Sequence, residues 1–241
     1  MKKKWLAGML WIGILMTAVG CSLKTEAPVS SEETIETTLL EDSREDVTEE
    51  STEDRDYYGE LIEAARKCHV EKDEEMLENY DFSSVLITSS DYEVLGYWIE
   101  DLDGDGITKL IFGGNGTEPD DGWNGIIYDI YTISDGELIH VLDGWERNRY
   151  FLCENGMIAN EGSSGAANSN YTYFTLENAE LHLVESVIYD GMKDAEHPWF
   201  YSMESEYDAE NAEPISEEQA KEIMGKYVYQ RPTYIPFAEV K

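Results

Sequence analysis

The sequence predicts an α+β domain that is mainly an antiparallel β-meander, with a helical segment before the sheet and one helix after it. From about residue 82 onward, short runs rich in Tyr, Ile, Val and Phe alternate with Asp-Gly and Asn-Gly turns. Consecutive strands joined by such short turns must be antiparallel, because parallel neighbours need a crossover of a dozen or more residues. Residues 57–241 are numerous enough for one domain with its own core.

The first twenty residues have the layout of a secretory signal peptide. Three lysines at positions 2–4 precede an apolar run over residues 5–19, and small residues lead up to Cys21. The run is shorter than the roughly 20 residues of a membrane-spanning helix. The small residues resemble the lipobox of bacterial lipoproteins, although that motif usually has Leu where Ala18 stands. We expect an extracytoplasmic chain anchored to the cell membrane by a lipid on Cys21; an ordinary cleaved signal peptide is the alternative.

Residues 21–56 are predicted to be an acidic, disordered spacer. Positions 22–56 hold 13 acidic residues and 11 Ser or Thr, with three basic residues and little apolar content. Such a segment cannot bury enough apolar surface to fold, and its like charges repel one another. The spacer would hold the folded domain away from the membrane.

The chain is strongly acidic, with a formal net charge of −35 at pH 7. Removal of residues 1–20, which hold three lysines and no acid, would take this charge to −38. Such a charge repels nucleic acid and favours cations or basic partners, so we do not expect DNA or RNA as partners. We expect a monomer whose partners are the membrane, through the lipid, and a glycan or protein ligand at the cell surface.

Three helices are predicted, two before the sheet and one after it. Apolar residues recur at helical spacing in the first segment: Tyr57, Leu61, Ala64, Ala65 and Cys68. A second short helix is expected at residues 74–80. Near the C-terminus, Ser216 and Gln219 have the spacing of a capping box, and an apolar stripe follows: Ala220, Ile223, Met224 and Tyr227. Pro232 and Pro236 are expected to end regular structure in the tail.

Three hairpins are predicted within the sheet. The expected strand pairs are 128–134 with 137–142, 150–153 with 157–160, and 171–176 with 180–188. Their turns are expected at Asp135-Gly136, at Asn155-Gly156 and at residues 177–179. Asp-Gly and Asn-Gly favour tight hairpins because both central positions of a type I′ turn need a positive φ.

The most specific internal motif is Asp-Leu-Asp-Gly-Asp-Gly-Ile at residues 101–107, between two apolar runs. Alternate aspartates with glycine in the sixth place match the first half of an EF-hand calcium loop. We expect Asp101, Asp103 and Asp105 to bind calcium through their carboxylates, and Ile107 through its carbonyl. The expected affinity is in the weak extracellular range of about 10⁻⁴ to 10⁻³ M, and the ion would stabilise the loop.

Two features depart from a complete EF-hand. Phe112 stands where the bidentate Glu would be, and the flanking runs indicate strands. The loop is therefore more similar to the strand-loop-strand calcium loops of FG-GAP repeats, whose ninth place often carries an acid. Lys109 stands there and would weaken binding. The missing oxygens would come from Glu118, Asp120 or Asp121 in the next loop, or from water. The alternative is a hairpin turn that binds no metal.

A second candidate site is suggested by Trp123, Trp145 and Trp199, which stand in polar surroundings with Gly or Pro nearby. Aromatic faces cover the CH surfaces of sugars, while neighbouring polar groups bind the hydroxyls. The domain would then be a glycan- or peptide-binding surface module independent of calcium. The alternative is that these tryptophans pack over the ends of the sheet, since Trp is highly buried on average.

No catalytic constellation stands out. The carboxylates show no pair singled out by spacing, and the four histidines are scattered without an evident partner: His69, His140, His182 and His197. Gly162-Ser163-Ser164-Gly165 lacks the Gly-x-Ser-x-Gly pattern of a nucleophile elbow and is expected to be a loop. We expect a non-enzymatic surface or binding module, with a carboxylate-dependent extracytoplasmic hydrolase as the alternative.

Besides Cys21, the chain has two cysteines, Cys68 and Cys153. In an exported protein they would form a disulfide or remain as buried thiols, and the sequence leaves both open. No cysteine spacing typical of a zinc site is present.

Three segments resemble surface lipoproteins of Gram-positive, clostridial-type bacteria: residues 97–114, 127–138 and 149–173. The resemblance implies a secreted, lipid-anchored surface protein with a calcium-type loop. It implies no catalytic residue.

Overall fold

The computed structural model describes residues 56–89, 93–118 and 122–238. These residues belong to one compact unit, Glu50–Lys241. The predicted signal peptide, Cys21 and the spacer up to residue 55 lie outside the described residues. None of the described helices is long and apolar enough to cross a membrane.

The two N-terminal helices form where the apolar spacing predicts them. Helix α1 spans Tyr57–Glu71 and α2 spans Glu74–Tyr80. Asp56 begins the first helix and Asp73 the second, and each carboxylate accepts a hydrogen bond from a first-turn amide, at 2.9 and 3.0 Å. These bonds satisfy amides that have no partner within the helix. Helix α3, Val85–Thr88, is not evident from the sequence because four residues are too few to show a period.

The described residues include eleven strands, which pair antiparallel in one sheet. They are β1 Glu93–Glu100, β2 Lys109–Gly116, β3 Ile126–Ser134, β4 Glu137–Asp143, β5 Asn148–Leu152, β6 Ile158–Gly165, β7 Asn168–Glu177, β8 Glu180–Asp190, β9 Trp199–Ser202, β10 Glu213–Pro214 and β11 Ile235–Pro236. The order is β10-β9-β8-β7-β6-β5-β3-β2-β1-β11, and β4 pairs with β3 beyond the short β3–β5 contact. The predicted α+β fold dominated by a β-meander is confirmed.

The three predicted hairpins form at the predicted turns. Both central residues have a positive φ at Asp135-Gly136 and also at Asn178-Ala179, as a type I′ turn requires. Between β5 and β6 only Gly156 has a positive φ, of 80°. That connection is longer than a two-residue type I′ loop, since it extends over residues 153–157.

One of the two expectations about irregular structure is wrong. Residues 162–165, predicted as a loop, form the end of β6, where the pairing with β7 contains a bulge. Pro236, expected to end regular structure in the tail, is the last residue of β11 and pairs with Gly96 of β1. Proline is tolerated there because β11 is the edge of the sheet, where a missing N–H breaks no ladder.

The closing helix α4 spans Glu217–Met224 and begins with the predicted capping box. The Gln219 amide donates to Ser216 Oγ at 3.2 Å, and the Ser216 amide donates to Gln219 Oε1 at 2.9 Å. Tyr227, the last residue of the predicted stripe, is buried but lies beyond the helix end.

Both faces of the central strands are buried, and the helices cover one of them. Along β2, Leu110 and Phe112 pack in a cluster with residues of α1 and α3, whereas Ile111 packs in a second cluster. The second cluster draws its members from the sheet and from Tyr234 of the tail. A few polar side chains are nevertheless buried within strands, among them Asp129, Asn160 and Asn170.

Candidate functional site

The predicted calcium loop connects β1 to β2, and the structure brings its aspartates together. Carboxylate oxygens of Asp101, Asp103 and Asp105 lie within 4.8 Å of one another, and such a cluster could hold a metal ion. We call residues 101–109 the aspartate loop. Of the further ligands expected from the next loop, Asp120 and Asp121 lie outside the described residues.

Backbone hydrogen bonds shape the aspartate loop. The carboxylate of Asp101 accepts from the amides of Gly104 at 2.9 Å and Gly106 at 3.0 Å. Gly106 has φ +87°, and no atom lies within 4 Å of the place where a Cβ would stand. The left-handed backbone, and not a lack of space, therefore requires glycine here.

The ammonium group of Lys109 lies among the predicted calcium ligands. Its Nζ donates to Asp103, to Asp105 Oδ1 at 2.6 Å and to the Ile107 carbonyl at 2.8 Å. Asp101 Oδ1 is 3.8 Å from the same nitrogen. The Lys109 side chain is only 1% exposed. The four predicted oxygen ligands thus surround a cation that the chain itself supplies.

The contacts within the loop stabilise the charged forms of both partners. The hydrogen bond from Lys109, followed by that from the Ile107 amide, lowers the pKa of Asp105. Burial opposes the charge of Lys109, but hydrogen bonds to Asp103 and Asp105 outweigh it and raise the pKa of the ammonium. Lys109 therefore stays protonated at neutral pH.

The three singled-out tryptophans occupy three different parts of the fold. Trp123 precedes β3, where the Arg149 guanidinium lies 5.7 Å from its ring centroid. Trp199 lies in β9 and meets Tyr189 edge to face, with ring centroids 5.1 Å apart. Trp145 lies in the β4–β5 connection and is 48% exposed. The proposed packing alternative describes Trp199 well, but Trp145 presents a large part of its ring to solvent.

Trp145 lines an open cleft of about 500 Å³. The cleft, called the tryptophan cleft below, is lined by Trp145, Arg147, Asn148, Gly162, Ser163, Ser164, Asn168, Asn170 and Tyr207. Its volume lies within the range of small-molecule sites, about 300–1,000 Å³. Tyr207, at 59% exposed, is a second aromatic surface. The remaining side chains are mostly amides and hydroxyls, which donate and accept hydrogen bonds.

A tight turn and an amide ladder hold this cleft in place. Trp145 and Asn148 exchange two backbone hydrogen bonds of 2.9 Å around the turn. Behind them, Asn160 Nδ2 donates to Asn148 Oδ1 at 2.8 Å, and Asn170 Nδ2 donates to Asn160 Oδ1 at 3.1 Å. A Cβ on Gly162 would lie 2.3 Å from Asn170 Oδ1, so glycine allows this close approach. The ladder is a feature that sequence reasoning missed.

The sequence shows no evident partner for His140, but the structure pairs it with two aspartates. Its Nε2 lies 3.0 Å from Asp129 Oδ1, and its Nδ1 lies 3.6 Å from Asp81 Oδ2. Asp129 is completely buried and also accepts from the Ser83 amide at 3.3 Å. An acid inside the apolar run of β3 was the signal available in the sequence, since the Asp135-Gly136 hairpin brings β4 alongside it.

Burial and pairing act in opposite directions on these two groups. Burial raises the pKa of Asp129 to about 6, against the hydrogen bond and charge of His140, which lower it. Burial also disfavours the charged imidazolium, but the hydrogen bond and charge of Asp129 outweigh it and raise the pKa of His140. The two residues therefore form a largely buried pair in which each stabilises the charged form of the other.

Cys68 and Cys153 are both buried and free, so the structure contains the thiol form of the two alternatives. Burial raises the pKa of the Cys153 thiol to about 11. Neither thiol has the lowered pKa of a reactive cysteine.

No family model, curated protein or solved structure matches the chain. The comparisons therefore point to no enzymatic family. The resemblance to Gram-positive surface lipoproteins depends on the sequence segments alone.

Proposed function

We propose that the protein is a lipid-anchored extracytoplasmic lipoprotein whose folded domain binds glycans in the tryptophan cleft. The single observation that carries this proposal is the half-exposed ring of Trp145 beside a wall of amide and hydroxyl groups. A sugar ring has an apolar CH face and an edge of hydroxyls. An aromatic plane covers the first, and asparagine and serine side chains bind the second.

Charge favours neutral or acidic sugars over cationic ligands at this cleft. Its lining contains Arg147 and no carboxylate. Three other clefts, between α1 and α2, at α4 and beside β9, each have three carboxylates in their lining. On a chain with a net charge of −35, an acid-free lining sets this surface apart.

A non-enzymatic role agrees best with the polar pairs that the structure describes. Asp129 is sealed from solvent, and its partner His140 faces Asp81 on the other side. The hydroxyl of Ser83, whose amide donates to Asp129, is buried and donates to the Gly144 carbonyl. A general base, in contrast, must reach a proton of the substrate. We propose that this pair stabilises the fold. The calcium prediction for the aspartate loop is separate from glycan binding.

Glycan binding is tested on an array of neutral oligosaccharides built from glucose, galactose, mannose or N-acetylglucosamine, followed by calorimetry with the best binder. The probe is the full-length chain in detergent. We expect Trp145→Ala to weaken binding at least tenfold, because the aromatic platform is lost. Trp199→Ala is the matched control and should bind like the wild type, since Trp199 packs against Tyr189 and is not among the residues that line the cleft.

Two results would contradict the proposal. One is that no oligosaccharide binds at millimolar concentration. The other is that Trp145→Ala and Trp199→Ala weaken binding equally, which would place the ligand elsewhere.

The lipid anchor is tested separately by labelling growing bacteria that express the chain with an alkyne fatty acid. The wild type should carry the label and sediment with membranes. Cys21→Ala should lose the label, whereas Cys68→Ala should keep it. A labelled Cys21→Ala chain would contradict lipidation at this position.

A further inference from the structure

We infer that the Lys109 ammonium is a built-in replacement for a calcium ion, so that the aspartate loop is closed without metal and hides a latent calcium site. This inference is independent of the proposed glycan binding. It rests on the position of one nitrogen atom.

The nitrogen occupies the place that a metal ion would need. A cation bound by Asp101, Asp103, Asp105 and the Ile107 carbonyl must lie between these oxygens. Lys109 Nζ contacts Asp103, lies 2.6 Å from Asp105 Oδ1 and 2.8 Å from the Ile107 oxygen, and has Asp101 Oδ1 at 3.8 Å. An ion and an ammonium group cannot both occupy this space.

The lysine is held there by its position in the chain. Lys109 is the first residue of β2 and pairs with Glu100 of β1, so its backbone is part of the sheet ladder. Its side chain is almost completely enclosed, at 1% exposed. Tyr58 of α1 donates to the carbonyl of the adjacent Thr108 at 2.6 Å, which ties the helix to the end of the loop.

Charge explains why a lysine suits this place. Three clustered carboxylates repel one another, and a buried ammonium is costly unless it is paired and hydrogen-bonded. The ammonium group reduces the repulsion between the carboxylates, and the carboxylates supply the hydrogen bonds that the buried ammonium group needs. A calcium ion that approaches these carboxylates would be repelled by the ammonium group at short range and would have to displace it into solvent.

The test compares melting temperatures of the full-length chain in EDTA, in 10 mM calcium chloride and in sodium chloride of equal ionic strength. Binding to the native state alone raises the melting temperature once the ion exceeds its dissociation constant. We expect a calcium-specific shift below about 1 °C for the wild type, since no exchangeable site is open. We expect a rise of several degrees for Lys109→Met, which keeps the length of the stem but removes the competing charge.

Two further variants sharpen the result. Lys109→Arg keeps a cation among the carboxylates of the aspartate loop, so calcium should not raise its melting temperature. Lys109→Glu supplies an acid in the ninth place and should respond at least as strongly as Lys109→Met. A rise of several degrees for the wild type would overturn the inference, and so would the absence of any response in both neutral and acidic variants. If Lys109→Met does not fold in EDTA, its folding on addition of calcium supports the inference. A calcium-specific rise in the melting temperature of the wild type overturns the inference in that case as well.

Discussion

The aspartate loop and the tryptophan cleft both begin as sequence patterns typical of ligand binding, but they differ in what their polar groups contact. In the loop, the carboxylates already surround Lys109, and its side chain is enclosed. In the cleft, Trp145 and Tyr207 leave 48% and 59% of their surfaces to solvent. The loop has therefore satisfied its charges within the chain, whereas the cleft keeps two aromatic surfaces accessible beside polar side chains that are uncharged and hydrogen-bonded to one another.

This difference shows how a binding motif and a binding site can diverge. A motif states which chemical groups come close together. A site also requires that enough of these groups stays exposed for a ligand to contact. The pair of Asp129 and His140 belongs with the loop, because each group is the main partner of the other.

The comparison predicts that loop substitutions reduce stability more than cleft substitutions do. The largest loss is expected for Asp103→Asn, at about 2 kcal/mol, because a hydrogen bond to a buried ammonium loses its charge. Asp105→Asn should lose less, about 1 kcal/mol, since that side chain is 39% exposed and solvent screens its charge. Urea unfolding at pH 7 measures both. Equal, negligible losses would show that Lys109 does not depend on the aspartates.

The buried pair is expected to show the same behaviour with an added pH dependence. Asp129→Asn should lower the free energy of unfolding by about 2 kcal/mol at pH 6, because charge-assisted hydrogen bonds to a buried group are lost. The raised pKa of His140 contributes stability that is present below pH 6.5 and is lost as the pH rises through the raised value. The raised pKa of Asp129 also makes the free energy of unfolding fall as the pH rises, between the ordinary value of 3.8 and about 6. The reason is that ionisation of Asp129 in the buried site costs stability.

The difference in the free energy of unfolding between the wild type and Asp129→Asn should therefore decrease as the pH rises above 6.5. Urea unfolding of both proteins at several pH values measures this difference. Subtracting one free energy from the other removes the pH dependence that the other acidic residues contribute to both proteins. His182→Gln, an exposed histidine of β8, is the control and should leave the profile of the wild type unchanged. A difference that stays constant from pH 6 to 9 would contradict the charged pair.

The smallest effect on stability is expected in the cleft. Trp145→Ala should change the free energy of unfolding by less than about 1 kcal/mol, because half of the ring is exposed and the turn is held by backbone hydrogen bonds. The same substitution is expected to have the largest effect on glycan binding. A loss above 2 kcal/mol would instead identify Trp145 as a structural residue and weaken the distinction between the two regions.

Local patterns predicted the fold well. Helical spacing located α1 and α2, the Ser216–Gln219 pair located the start of α4, and three turns located three hairpins. These signals act over a few residues and remain visible in any context. The misses are α3, the short strands β9 to β11 and the strand at residues 162–165, which depend on pairing with distant segments.

The candidate sites were predicted only as groups of residues. The spacing of Asp101, Asp103 and Asp105 was sufficient to expect their convergence, because a tight loop with Gly106 leaves them little choice. The sequence indicates that Lys109 is unfavourable for calcium binding. It does not show that the ammonium group lies at the centre of the loop. The amide ladder and the Asp129–His140 pair join different strands, so their formation depended on strand register.

Composition and short-range pattern alone were enough to predict an acidic chain, a β-meander bounded by helices, and a loop crowded with carboxylates. These properties depend on residue type and on neighbours within a few positions. The tertiary structure decided which carboxylates are paired, which aromatic ring remains exposed and which cation fills the loop. The reason is physical: burial and partner choice depend on where distant strands and helices bring each side chain, and the free energy of a charge depends on both.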